Sequence, residues 1–464
     1  MNNSNNIPKG HFVFFGPVNA GKSSMIGYIK THDLSDVDFI KEVDKIKARI
    51  GQYYKQCRLL SYFVDTAKDE YEKSSDVDHG NQHGTSKYVH IKDAGGYVLV
   101  DTPGGSRYVN QRYKGLSLAN IGVFTIEIKQ LLKLNNYVRS GNSKDMVEMK
   151  EFFGSWFVWQ KLHGTNNSII LLTKYDLCNG RDDFETAKKM LLSIIGGDRD
   201  LTIIPTSISN EHRNDTNVFT PITGSWYKGK TLIQAIEEKN TSMLCNETNN
   251  ELLMFYNKEY DRPILGAGKI IKWKVNCGSI KIGDKITIAP VLIDKKYSIV
   301  MASIKSMQNE KKETISCAFA GEIVNTALSN IVYENKSLPK ESIDIFNTSV
   351  ISTSTSIFKM GDSIMGYIDL NNCTEAEMVV LNAIKMTKLI NLLWFGKMLV
   401  AFIISCEKEQ DEHKAILTLK LENGQVALPN NFLPKKMLVQ FASIEKSELP
   451  INFDYIVTDI FETM

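Results

Sequence analysis

The sequence predicts an α/β domain with a mostly parallel sheet and helices on both faces, followed by two β-barrel domains. Three observations carry this. The stretch GPVNAGKS, residues 16–23, sits between the apolar run FVFF and a helical pattern. Buried strands then alternate with helix-spaced segments to about residue 240, which is the pattern of a parallel sheet. Beyond that point long helical periods vanish and short β-rich runs recur between turns.

In chain order, FVFF (12–15) is the first strand, and its glycine-rich turn opens a helix from about Lys22. TSKYVHI (85–91) and GYVLV (96–100) flank the turn KDAG and read as a hairpin. ANIGVFTIEI (119–128), NSIILLT (167–173) and LTIIP (201–205) read as buried strands. DFETAKKMLLSII (183–195) has helical spacing and runs into Gly196 and Gly197. After 240 the runs GKIIKWKV, KITIAPVLI, YSIVMASI and GEIVNTAL read as one barrel. The runs AEMVVLNAI, KMLVAFIISC, KAILTLKL and KKMLVQFASI read as another. The expected organisation is a flexible N-terminus over 1–9, the α/β domain over 10–240 and a linker over 241–256. A barrel over 257–373 carries a Ser/Thr-rich surface insertion at about 333–357, and a short barrel follows over 374–464.

Bulk composition sets the class. The chain has 464 residues, 43% hydrophobic and 23% charged, as expected of several soluble globular domains. A net charge of only +2 gives no global field for nucleic acid. Seven dispersed cysteines without a CxxC pair suit reduced thiols, not a disulfide frame or a zinc site. The polar start MNNSNNIPKG is no signal peptide, and no uncharged apolar run approaches the length of a membrane span.

GPVNAGKS matches GxxxxGK[ST]. Glycines let the backbone curl so that N–H groups converge at a helix start, where phosphate oxygens are well received. Lys22 would reach the β- and γ-phosphates, and the Ser23 hydroxyl would ligate Mg²⁺. DTPGG, 101–105, follows the apolar run YVLV. Asp101 is placed to orient Mg²⁺ through water, and Gly104 to bring a backbone N–H against the γ-phosphate. TKYD, 173–176, follows SIILL. A carboxylate there accepts two hydrogen bonds from the N1–H and 2-amino groups of guanine, a pair that adenine lacks. The stem of Lys174 packs over the base plane. TSIS, 206–209, supplies Ser207 and backbone N–H groups near the guanine carbonyl. The expected nucleotide contacts are Asn19, Ala20, Gly21, Lys22, Ser23, Ser24, Gly104, Thr173, Lys174, Asp176, Ser207 and Ile208.

In this order the motifs resemble those of the translational GTPases of the elongation factor Tu / elongation factor 1-alpha class, which includes eukaryotic-type release and ribosome-rescue factors. SWYKGKTLIQAI (225–236) is similar to the segment closing that family's GTPase domain. YDRPILGAGKIIKWKVNCGSIKIGDKITIAP (260–290) resembles the opening of its second domain, and TEAEMVVLN (374–382) that of its third. YFVDTAKDEYEK (62–73) resembles the helix before switch I in the eukaryotic and archaeal branch. The resemblance implies a phosphate-loop GTPase domain followed by two barrels. It implies GTP/GDP and Mg²⁺ as cofactors and a cytoplasmic, monomeric protein of protein biosynthesis, with no membrane attachment. The partners it implies are the ribosome, an exchange factor, and a tRNA or a tRNA-mimicking protein. Elongation, with delivery of aminoacyl-tRNA, is the first role it suggests. A release or rescue role with a protein partner, or a hydrolysis-deficient scaffold, is the alternative.

The sequence departs from that family at several points. The histidine that orients the attacking water is replaced by Gly105, which has no side chain to do so. His83 and Arg107 are the candidates to replace it. The switch I threonine that ligates Mg²⁺ aligns with Gln82, or with Thr85 after a small register shift, in a segment that also holds His79. Asn19 and Ala20 stand where an acid and a small polar residue are usual, and Thr173 where asparagine is usual. From Thr374 onward arginine is absent and acids outnumber lysines, which suits tRNA poorly.

Overall fold

The computed structural model describes residues 10–65, 87–91, 97–104, 108–140, 143–196, 201–209, 214–222, 226–245, 251–259, 270–309, 312–339, 343–353, 355–373, 378, 381, 389–394, 397–409, 413–433, 435–441 and 451–462. The chain divides into two compact units, Gly10–Met243 and Leu244–Met464.

The first unit is built on a six-stranded sheet. Its strands are β1 (His11–Phe15), β2 (Lys87–Ile91), β3 (Tyr97–Asp101), β4 (Ile121–Glu127), β5 (Ser168–Thr173) and β6 (Thr202–Pro205). They lie in the order β2-β3-β1-β4-β5-β6. All neighbours are parallel except the β2–β3 hairpin. Every residue of β1, β3 and β5 is buried, so both faces must be covered, and the strands read as unbroken apolar runs for that reason.

The helices are α1 (Lys22–Thr31), α2 (Asp36–Ile50), α3 (Val109–Leu118), α4 (Ile128–Ser140), α5 (Ser143–His163), α6 (Arg181–Ile195) and α7 (Leu232–Cys245). On one face Phe12, Phe14, Leu99, Val123 and Leu171 pack against Met25 and Ile29 of α1 and Leu232 and Ile236 of α7. On the other, Phe15 and Phe124 meet Phe153, Trp156 and Trp159 of α5 at ring distances of 5.4–5.9 Å. Truncating one such fully buried ring costs about 3–5 kcal/mol.

The second unit holds two barrels. Leu253–Glu259 pairs with Ile270–Cys277, which pairs with Ile323–Tyr333, then Lys296–Gln308, Lys285–Ile293, Asp344–Thr353 and back to Leu253–Glu259, so the ring closes. The second barrel is closed by Ser363–Asp369, Lys414–Leu421, Lys397–Glu409, Leu389–Trp394, Lys435–Phe441 and Ile451–Phe461. An antiparallel ladder between Phe358–Gly361 and Val426–Pro429 runs between them. One core cluster joins Leu253, Phe255 and Val350 of the first barrel to Leu392, Leu417 and Val439 of the second.

Three expected boundaries move. The expected linker at 241–256 narrows from both ends, because α7 continues to Cys245 and a barrel strand begins at Leu253. The surface insertion at 333–357 contains the strand Asp344–Thr353, paired on both sides. Its polar composition concealed it. Thr348, Ser349 and Ser352 are buried, and their hydroxyls donate to the carbonyls of Gln425, Pro290 and Leu252 at 2.6–2.8 Å. The last barrel begins before 374, because Ser363–Asp369 already belongs to it. AEMVVLNAI lies largely outside the described residues, as does the N-terminal stretch 1–9.

Candidate nucleotide-binding cleft

The carboxyl ends of β1, β3, β5 and β6 deliver four loops to one edge of the sheet, where open α/β sheets bind ligands. After β1 the chain curls through Gly16 (φ 137°), Asn19 (φ 61°) and Gly21 (φ 90°) into α1. Such a run of positive φ turns successive N–H groups inward. Gly21 caps α1 without a side chain, and no acid lies in the first turn, so the helix start presents its N–H groups to an anion. Lys22 is only 6% exposed, and its Nζ donates to the carbonyls of Gly16 (3.0 Å) and Pro17 (2.6 Å). Burial pulls its ammonium down to about 8, against the opposing pull of Asp101.

The Ser23 hydroxyl donates to Asp101 Oδ2 at 2.7 Å, so the two residues expected to serve one metal are adjacent. Asp101 ends β3, and Thr102 ties that end to β1 by donating to the Phe14 carbonyl at 2.7 Å. Gly104 lies against the phosphate loop. A Cβ there would sit 2.9 Å from Lys22 Nζ and 3.0 Å from Val18 Cα, so only glycine fits without displacement. Arg112 of α3, which the sequence reading did not single out, fixes this loop. It is 6% exposed and donates to the carbonyls of Pro103 (3.0 Å) and Gly104 (2.9 Å) and to Ser155 Oγ (2.6 Å). Burial lowers its pKa. A hydroxyl, a carboxylate and an ammonium at a helix start form the donor set that suits a magnesium–nucleotide complex. Ser23 and Asp101 would hold the ion, which supplies neutralisation of phosphate charge.

At the other end, Thr173 closes β5. Its buried hydroxyl donates to the Ala20 carbonyl at 2.8 Å and approaches that of Ile126 at 3.3 Å. It therefore holds the phosphate loop in place, a structural use that its position in the base motif did not announce. Lys174 adopts left-handed backbone (φ 58°), and its Nζ pairs with Glu127 Oε2 at 2.7 Å. Glu127 ends β4, so a neighbouring strand anchors the lysine whose stem is expected under the base. Asp176 is exposed, in the 3₁₀ turn Tyr175–Leu177. Tyr175 N donates to the Thr206 carbonyl and Thr206 N to the Leu172 carbonyl, which binds the TKYD and TSIS loops together.

A cleft of about 530 Å³, within the ordinary range for small-molecule sites, gathers these pieces. Of the expected contacts it is lined by Asn19, Gly21, Lys22, Ser23, Ser24, Thr173, Lys174, Asp176, Ser207 and Ile208. Ala20 and Gly104 are not on its wall. Cys57, Arg58, Ser61 and Asp65 are, although none of them was among the expected contacts. They come from the 3₁₀ segment Gln56–Phe63 and the two residues after it. Gly105 and the candidates Gln82, His83, Thr85 and Arg107 lie outside the described residues, as does His79.

Fold and cleft together define a phosphate-loop α/β domain followed in the chain by two barrels. No protein-family model matches the chain. Elongation factor 1-alpha of Nanoarchaeum equitans is 24% identical over 308 residues, covering 66% of this chain and 64% of the relative. The eukaryotic peptide chain release factor GTP-binding subunit of Debaryomyces hansenii is 24% identical over 345 residues, covering 70% of this chain and 42% of the relative. The matches thus span less than two thirds of these relatives. Among solved structures, the S. cerevisiae Ski7 GTPase-like domain bound to GDP and inorganic phosphate superposes with a TM-score of 0.68 at 15% identity, covering 97% of both chains. The bacterial selenocysteine-specific elongation factor EF-Sec gives 0.57 at 14% identity, covering 97% of this chain and 58% of that one. The chain is a divergent relative of the translational GTPases of the elongation factor 1-alpha and release-factor class.

Proposed function

We propose that the chain is a guanine-nucleotide switch of translation, which binds GTP and GDP with Mg²⁺ in this cleft and acts on ribosomes in the cytoplasm. The observation that carries the reading is the continuity of the cleft. Lys22 and Ser23 line one end, and Lys174, Asp176 and Ser207 the other. In relatives of this kind a γ-phosphate and its metal hold two switch segments, and hydrolysis releases them. Gly105 removes the side chain that would place the attacking water, so intrinsic hydrolysis is slow and turnover depends on what the ribosome or another residue supplies. Binding of fluorescent GDP and GTP with competition by ATP, followed by single-turnover hydrolysis with and without ribosomes, tests it. Guanine-selective binding with ribosome-dependent turnover supports the reading, and equal competition by ATP ends it. Retention of GTP with no turnover on ribosomes would favour a hydrolysis-deficient scaffold, the role to which Gly105 also points.

A second reading concerns the partner. From Thr374 onward acids outnumber lysines and arginine is absent, which favours a tRNA-shaped protein over aminoacyl-tRNA as the cargo. Pull-down with the GTP-loaded chain separates the two: recovery of tRNA contradicts the protein cargo.

A further inference from the structure

The cleft wall carries a cation, Arg58, that none of the nucleotide motifs accounts for. Gln56–Phe63 lies along α1 in close backbone contact, because a Cβ on Gly27 would fall 1.9 Å from the Leu60 carbonyl oxygen. Lys30 Nζ donates to the Phe63 carbonyl at 3.0 Å. The two segments therefore run side by side in the same direction, with 60 beside 27 and 63 beside 30. That register sets Arg58 beside the first turn of α1, where Ser23 and Ser24 line the cleft.

The platform under Arg58 is rigid. Its N–H donates to the Lys55 carbonyl at 3.0 Å, and its own carbonyl accepts from Ser61 Oγ at 3.0 Å. Its guanidinium lies 5.6 Å from the ring centroid of Tyr62, a fully buried residue whose carbonyl accepts from Arg49 Nη2 at 2.7 Å. The side chain is about one third exposed, on the cleft wall, with Asp65 Oδ2 at 3.9 Å. That separation is an ion pair without a close hydrogen bond, so the guanidinium keeps donors for a better acceptor.

Resting on the guanine-nucleotide reading above, we infer that Arg58 is a nucleotide-binding residue, a cation supplied in cis that pairs with phosphate oxygens at the start of α1. A planar guanidinium is suited to two parallel hydrogen bonds to a phosphate. Asp65 is the weaker acceptor that the phosphate displaces, so its charge competes for the guanidinium and does not support binding. The pairing serves GDP and GTP alike, because it falls beside Ser23 and Ser24 at the helix start and not at the end of the phosphate chain.

The test is a titration with GDP and GTP of the full chain and its Arg58→Gln, Arg58→Lys and Asp65→Asn variants, alongside the melting temperature of each without nucleotide. Arg58→Gln weakens both nucleotides by about 10- to 100-fold, and Arg58→Lys recovers part of the loss. Asp65→Asn does not weaken binding, whereas a merely structural Arg58–Asp65 pair would give both neutral variants the same loss. Equal losses in those two variants, or unchanged binding in Arg58→Gln, overturn the assignment. If Arg58→Gln melts early, Arg58→Lys decides, since it must bind more tightly than the neutral variant. Failure of the unaltered chain to bind either nucleotide removes the reading on which the inference stands, an outcome distinct from normal binding with an indifferent Arg58.

Discussion

The two ends of the nucleotide cleft are built on different principles. The phosphate end is made of backbone: residues at positive φ between Gly16 and Gly21, an uncapped helix start, and one buried lysine held by two carbonyls. The base end is made of side chains cross-linking strand ends. Thr173 reaches across to Ala20 and Lys174 pairs with Glu127, while a backbone bond from Tyr175 to Thr206 joins the two loops. Phosphate is a bulky anion that backbone dipoles receive without regard to identity, whereas a base is told apart by a donor–acceptor pattern that needs placed side chains. The phosphate end should therefore set whether a nucleotide binds, and the base end which one.

Lys22→Ala is expected to do the most damage, weakening GTP and GDP by about 100-fold or more, since the lost partner is charged and buried. Isothermal titration checks it, and retained affinity would assign the phosphate to other groups. Asp176→Asn should cost about 10- to 100-fold with guanine nucleotides and shift preference toward xanthine, whose 2-carbonyl accepts from the new amide. A competition assay across bases reads this out, and an unchanged order of preference would show that the base end does not discriminate. Gly104→Ala should cost roughly tenfold by crowding Lys22 and Val18. Loss of guanine preference in that variant would mean that the two ends are not separable. Arg112→Met, which frees the Pro103 and Gly104 carbonyls, should lower unfolding stability by about 1–3 kcal/mol in a denaturant titration.

The same lysine makes both stability and affinity depend on pH. Lys22 falls to about 8 in the folded chain, below its ordinary value of 10.5. The unfolded chain thus holds a proton that the folded one has lost, so the nucleotide-free protein gains stability as pH rises from about 8 to 10.5. Nucleotide affinity runs the other way and falls severalfold from pH 7 to 9, because phosphate requires the charged ammonium. Lys22→Ala abolishes both trends, and persistence of either would place the titrating group elsewhere.

The curled loop from Gly16 to Gly21 was legible in the sequence because its shape lies in glycine spacing, which a string of letters preserves. Asp101 and the TKYD and TSIS loops were legible because each follows an apolar strand run. Arg112 was not, since its donors meet the carbonyls of Pro103 and Gly104 only after α3 folds back. Arg58 and Asp65 stayed hidden for a similar reason: the approach of Gln56–Phe63 to α1 depends on one missing Cβ, at Gly27. Among the barrel strands, alternation exposed those with apolar inward positions. Asp344–Thr353 escaped because its buried hydroxyls are satisfied by carbonyls of other strands, a compensation absent from local composition.

The ladder between Phe358–Gly361 and Val426–Pro429 bears on how this protein is dissected. A cut at 373 would leave one partner of those paired rows in each fragment, baring backbone groups on both and splitting the Thr348–Gln425 hydrogen bond. Fragments divided there should aggregate where the undivided pair of barrels remains soluble, which makes the whole stretch from Leu244 onward the smallest useful cloning unit on that side of the molecule.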